Sequence, residues 1–171
     1  MQWKLGAAIA LVVTCPALAE ELDQSAVADA LHAVPRSLRE ALRAQQQSNV
    51  AVVSVPGDYA ALAAYQALSS DLHVLLFSDN VPLQKDIALK DYALSRGRLM
   101  MGPGAGTAML GATGLGFANA IRPGQVGIVA AAGTGAQEAM ALLDRWGVGV
   151  SQVIGVGGRD LSSEVGGRMA K

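Results

Sequence analysis

Residues 49–80 read NVAVVSVPGDYAALAAYQALSSDLHVLLFSDN, and the alternation within them decides the fold. The β-branched run 49–55 is a strand, ended by Pro56 and Gly57. Asp58 is placed to cap a helix over 59–70, whose alanines and leucines favour that state. The apolar run 72–77 is the next buried strand, and Ser78, Asp79 and Asn80 close its C-terminal end.

The same alternation continues outward. Before it, 36–47 reads as an amphipathic helix with Leu38 and Leu42 on one face. After it, Pro82 suits the first turn of a helix running to about Ser95, and Gly97 stops that helix before a short strand at 98–101. The order is βαβαβ, which implies a parallel sheet with right-handed crossovers and helices over its faces. A Gly-rich stretch, 102–116, and a turn at Pro123-Gly124 lead into a second unit. It has an apolar strand at 126–130, a tight turn at Gly133-Thr134-Gly135, a helix at 137–146 and a strand at 150–155. The expectation is that the strands ending at Val55, Phe77, Met101 and Ala130 lie side by side and run the same way. Their tips would then share a rim able to hold an anionic metabolite. The second unit has room for only two or three strands before Lys171 and so looks truncated. The expected division is an N-terminal segment 1–34, a partial Rossmann-like domain 35–122 and a truncated α/β domain 123–171.

Composition narrows the function. About half of the 171 residues are hydrophobic and 20 are glycine, which fits a globular core of small residues. Thirteen basic residues face 14 acidic ones with no Lys/Arg stripe, so nucleic acid is not expected as a partner. Cys15 is the only cysteine, so no intrachain disulfide forms and no Cys/His set has metal-binding spacing. Residues 1–19 have two readings: a secretory signal ending at Ala17-Leu18-Ala19, or a buried strand over 7–14 followed by a helix over 20–33. The apolar run is too short to span a membrane. Neither His32 nor His73 reads as catalytic, and Ser54, Ser78 and Ser151 have no neighbouring histidine in sequence.

The chemistry-bearing positions are the loops at the C-terminal ends of the strands. Three converge there: Val55-Pro56-Gly57-Asp58, Phe77-Ser78-Asp79-Asn80 and the Gly-rich run from Gly102 to Thr107. Glycine lets a phosphate approach the backbone, and helix N-termini offer free N–H groups. The same turns also serve simply to join strands to helices. No GxGxxG follows a strand in the first unit, and GxxxxGK[ST] is absent from the sequence. The loop from Ala131 to Gly135 ends one strand and starts one helix. Its amides and the Thr134 hydroxyl can meet a phosphoryl or carboxylate group, or merely cap the helix. Glu138 is an acid/base candidate or a partner of the helix dipole.

Over residues 35–167 the strings VPGDYA, LFSDNVPL, IALK, MGPGAGTAM, GLGFANA, VGIVAAAGTGAQE and GVGGRDLSSEVGG resemble the FdrA-type acyl-CoA synthetase family and, more distantly, succinyl-CoA synthetase α. That resemblance implies a CoA-binding Rossmann-like domain followed by the start of a flavodoxin-like ligase domain. It places Val55, Pro56, Phe77, Ser78 and Asp79 at CoA or a nucleotide, and Gly133, Thr134 and Gly135 at a phosphoryl group. It also implies a small-molecule metabolite, partner subunits of a synthetase or carbamoyltransferase complex, and a link to oxamate and allantoin or ureide breakdown in the cytoplasm. Where the family has Gly-Pro-Asn-Cys or Gly-Pro-Asp-Cys this chain has Gly104 and Ala105 after Gly102-Pro103, and Ala132 stands for a usual serine. Each change removes a hydrogen-bonding group from the expected site. The family's first βαβ unit and its phosphohistidine segment have no counterpart in the sequence. Three readings stay open: a subunit needing partner chains, a binding module without chemistry, and an inactive product of a broken frame.

Overall fold

The computed structural model describes residues 8–12 and 35–169. Eight strands and four helices are described: β1 (Ala8–Val12), α1 (Leu38–Ala44), β2 (Val50–Ser54), α2 (Gly57–Ser69), β3 (His73–Leu76), α3 (Leu83–Ser95), β4 (Met100–Met101), β5 (Thr107–Leu110), β6 (Thr113–Gly116), β7 (Pro123–Ala130), α4 (Gly133–Arg145) and β8 (Val150–Gly155).

The first sheet has the order β1-β2-β3-β4, and every pairing in it is parallel. The βαβαβ expectation therefore holds for residues 49–101, and the fold is α/β with a Rossmann-like parallel sheet. Ala8–Val12 pairs with β2 from Ala8 opposite Val50 to Val12 opposite Ser54, as the strand reading of the N-terminus requires. The helix expected over 20–33, Cys15 and His32 lie outside the described residues.

The four-strand rim needs correction. The strand ending at Ala130 belongs to a second sheet, β6-β5-β8-β7, in which β7 and β8 are parallel while β5 is antiparallel to both β6 and β8. The Gly-rich stretch read as a loop contains the β5–β6 hairpin. Pro123-Gly124 is not a turn but the start of β7. This sheet takes strands from both sides of residue 123.

The layers explain why two sheets form. Alternation in β2 and β3 puts Ala51, Val53, Val74 and Leu76 on one face, where they pack on α2 and α3. Alanines 60, 64 and 67 of α2 are fully buried there, and their small size lets the helix lie close to the sheet. Val50, Leu75 and Met101 point to the other face, which is covered by Ala108, Leu110 and Leu115 of the hairpin rather than by helices. The second sheet's far face, with Met109, Val150 and Val153, packs on Ala136 and Met140 of α4. The result is a helix, sheet, sheet, helix stack.

Local rules differ from expectation at two helix starts. Asp58 does not cap α2: Pro56 is the N-cap, with no side-chain hydrogen bond. Gly57 is required by close approach, since a Cβ there would lie 2.6 Å from the Asp79 carbonyl oxygen. Likewise Pro82 precedes α3 as its N-cap. Among the described helices only α1 is closed by a side chain, with Ser37 Oγ accepting the Glu40 N–H at 3.2 Å.

Candidate functional site

Where the tips of the two sheets meet, a cleft of about 530 Å³ opens. One wall is the loop after β3, with Asp79 and Asn80. A second is the loop after β4, with Pro103, Gly104, Gly106 and Thr107. The third is the end of β7 and the start of α4, from Ala131 to Thr134 with Gln137, and Gly158 and Arg159 close it from the loop after β8.

Backbone pairing sets these walls. The loop after β4 keeps bonding to β3, Gly104 N–H donating to the Ser78 carbonyl at 3.0 Å and Ala105 N–H to Leu76 at 3.2 Å. Gly104 has φ +71°, a conformation that glycine adopts without strain. Ser78 Oγ accepts the Val55 N–H at 2.9 Å and donates to the Val53 carbonyl at 3.4 Å, tying the tips of β2 and β3 together. Phe77 meets Phe117 edge to face at 5.3 Å between centroids, and Phe117 is 66 % exposed at the cleft's border. The α4 N-terminus is seated by Gln137 Nε2, which donates to Thr107 Oγ1 at 2.8 Å. Gly133 lies close against that hydroxyl, where an added Cβ would come within 3.2 Å.

Behind the cleft lies a buried charge cluster. Lys90 Nζ of α3 is 2.9 Å from Asp160 Oδ1 and 3.4 Å from Asp86 Oδ1, and it donates to the Val156 carbonyl at 3.3 Å. Arg159 Nη2 is 3.3 Å from Asp86 Oδ2 and donates to the Val81 carbonyl at 2.8 Å. Asp86, Lys90 and Asp160 are essentially without solvent contact, whereas the Arg159 side chain is 42 % exposed. Burial pushes the Asp86 carboxyl above its ordinary range, against the pull of Lys90 and Arg159. The cluster joins α3 of the first sheet to the loop after β8 of the second.

Of the residues expected at the site, Asp79, Gly133 and Thr134 line the cleft. Val55, Pro56, Phe77, Ser78 and Gly135 are not part of its wall, and the Ser78 hydroxyl is engaged with the β2 backbone. Glu138 is likewise absent from the wall. The expected Gly-rich loop contributes Pro103, Gly104, Gly106 and Thr107, whereas Arg159 and Gln137 line the cleft without having been singled out. Arg159 sits in the string GVGGRDLSSEVGG at the end of a strand, and that placement is the signal that points to it. Among the described residues no group of three His, Cys, Asp or Glu is arranged to hold a metal ion. Among them also, no helix is long and apolar enough to cross a membrane.

No protein-family model matches the chain. It is 54 % identical over 123 residues to the uncharacterized protein YahF of Escherichia coli, covering 72 % of this chain and 24 % of that one. It is 30 % identical over 126 residues to the ADP-forming succinate–CoA ligase subunit alpha 2 of Archaeoglobus fulgidus, covering 71 % of this chain and 44 % of the subunit. In fold it is similar to the ATP citrate lyase of Methanothrix soehngenii, solved with citrate and coenzyme A, with a TM-score of 0.65, 22 % identity and coverage of 72 % of this chain and 22 % of the lyase. The chain thus spans less than half the length of these relatives, and its homology with the ligase α subunit supports an acyl-CoA synthetase-like family.

Proposed function

We propose that the chain is a CoA-binding, α-subunit-like part of an acyl-CoA synthetase-type enzyme, completed by other subunits and working in the cytoplasm. One observation carries the reading: in a chain 30 % identical over 126 residues to a succinate–CoA ligase α subunit, a strand-to-helix junction, Ala131 to Thr134, opens on a cleft at the sheet ends. The N-terminus of α4 presents N–H groups and the positive end of the helix dipole there, which favours a phosphoryl or carboxylate group. Gly133 and Thr134 would meet that group.

CoA would lie along the tips of β2 and β3, bordered by Val55, Pro56, Phe77 and Asp79, with Ser78 holding the two tips together. The exposed ring of Phe117 on Phe77 offers an apolar platform of the kind a flat adenine or nucleotide base needs. Bound there, CoA would supply the thiol that takes up an acyl group. The chain's own residues bind and orient.

The finer reading is an FdrA-type subunit of a carbamoyl-transfer complex acting on oxamate in allantoin or ureide breakdown. Calorimetric titration of the full chain with CoA, ADP and carbamoyl phosphate tests both levels. Saturable binding of CoA is expected, and carbamoyl phosphate binding would favour the FdrA-type branch. If neither CoA nor ADP gives saturable heat, the proposal is wrong.

A second reading is a binding module without chemistry. It is favoured by the N-cap of α4, where Ala132 makes no side-chain hydrogen bond, and by Gly104 and Ala105 beside the cleft. CoA binding without turnover in the presence of its partner subunits would select it.

A further inference from the structure

We propose that Arg159 is the oxyanion-binding residue of this cleft, held ready by the buried Asp86 carboxylate, and that its ligand is a small carboxylate or phosphate. The proposal rests on the reading of the cleft as a metabolite site and adds the residue that recognises the metabolite's charge.

The geometry supports it in three ways. First, Arg159 and Asp79 are the charged side chains of the cleft wall, so Arg159 supplies its cation. Asp79 is exposed, its Oδ1 accepts the Asn80 N–H at 2.7 Å, and water screens its charge. Second, both anchoring contacts of Arg159, to Val81 and to Asp86, use one terminal nitrogen, Nη2. The guanidinium carries five N–H donors, so Nη1 and Nε remain outside those two contacts, each able to donate singly to an oxyanion. Third, Asp86 is fully buried, and neither of its oxygens has a hydrogen-bond partner among the described residues. Among the described residues its charge is met by the ion pairs to Lys90 at 3.4 Å and Arg159 at 3.3 Å. A buried carboxylate in that position keeps the guanidinium at the cleft wall, because letting it swing away would leave the carboxylate half compensated. Asp160 lies nearer to Lys90 than Asp86 does, 2.9 Å against 3.4 Å, so Lys90 is shared and compensates Asp86 only in part. Asp86 is thus a positioning residue and Arg159 a binding residue.

Calorimetry on the full chain with inorganic phosphate and, separately, with acetate tests this. Wild type should bind at least one of the two, and whichever binds identifies the ligand group. Arg159→Gln should weaken that binding roughly ten- to a hundredfold, the scale for hydrogen bonds to charged groups. Arg159→Lys keeps a cation beside Asp86 but loses the separate Nη1 and Nε donors, and should weaken binding about tenfold with an unchanged melting temperature. Asp86→Asn should weaken anion binding without touching the ligand, and the simultaneous Lys90→Met change should not restore it. The inference is overturned if wild type binds neither anion, or if Arg159→Lys binds as tightly as wild type. A parallel CoA titration separates the two claims: CoA bound normally by Arg159→Gln while the anion is lost supports both. Loss of CoA binding in wild type, with the anion still bound, would leave Arg159 assigned and remove the CoA reading.

Discussion

His73 opens β3 with its ring buried, and its Nδ1 accepts the Leu99 N–H at 2.9 Å. That bond requires a neutral ring, and burial first and the nearby Arg98 second hold its pKa below the ordinary 6.5. An unfolded chain protonates this histidine as pH falls below about 6.5, while the folded protein resists, so the unfolded state binds more protons. Stability should therefore drop as pH is lowered from 6.5 until the folded-state pKa is passed. Urea unfolding of wild type and His73→Gln between pH 7 and 5 checks this: the wild-type curve should fall more steeply, and parallel curves would refute it. The structural role of His73 was legible from its place at the start of an apolar strand. Ser78 was not: its sequence neighbours point to a strand tip, but only the packed sheet shows its hydroxyl engaged by Val53 and Val55. The same limit applies to Arg159, whose partners Val81 and Asp86 lie more than 70 residues earlier and meet it through tertiary contacts alone.

At the scale of elements, β2, α2, β3 and α3 follow from patterns that each segment carries by itself: a β-branched run, an alanine-rich helix, a second apolar run and a proline start. The β5–β6 hairpin escaped because its flanking glycines read as loop, and Thr107 to Leu110 is buried throughout without the alternation that marks a half-exposed strand. Nor does any local pattern say which sheet β7 joins: its apolar run would pair equally well with either, and in the protein it is an edge strand with no buried residue. Gly57 shows where an element meets its neighbour. Replacing it with alanine should help an isolated helix by about 0.5–1 kcal/mol. In the protein the new Cβ would fall 2.6 Å from the Asp79 carbonyl and 3.0 Å from that of Asn80. Both are backbone atoms of the cleft wall and cannot swing aside as a side chain can. The clash should outweigh the propensity, with a net loss of about 1–3 kcal/mol. The denaturation midpoint of Gly57→Ala measures it, and a midpoint at or above wild type would show that the loop after β3 yields freely.

At the scale of the whole molecule, what joins the two sheets is partly apolar and partly ionic. The apolar part is the face shared by Val50, Leu75 and Met101 with Ala108, Leu110 and Leu115. The ionic part is Lys90, which reaches from α3 to Asp160 and the Val156 carbonyl beyond β8. An interface of this kind makes the sheets melt together, so calorimetry of the full chain should give one cooperative transition. Lys90→Met tests the ionic part. It keeps the length of the side chain and removes the cation, leaving the Asp160 carboxylate without a countercharge and Asp86 with half of its compensation in a site closed to water. Breaking a buried pair from one side costs about 3–5 kcal/mol, because the remaining charge stays desolvated. For a chain of this size that corresponds to a fall in melting temperature of roughly 10 °C. Adding Asp160→Asn should recover part of the loss, since it removes one of the stranded charges. Two separate transitions in wild type would mean that the sheets fold independently. A Lys90→Met protein melting with wild type would mean that the apolar face alone holds them, and that the ions serve the cleft rather than the fold.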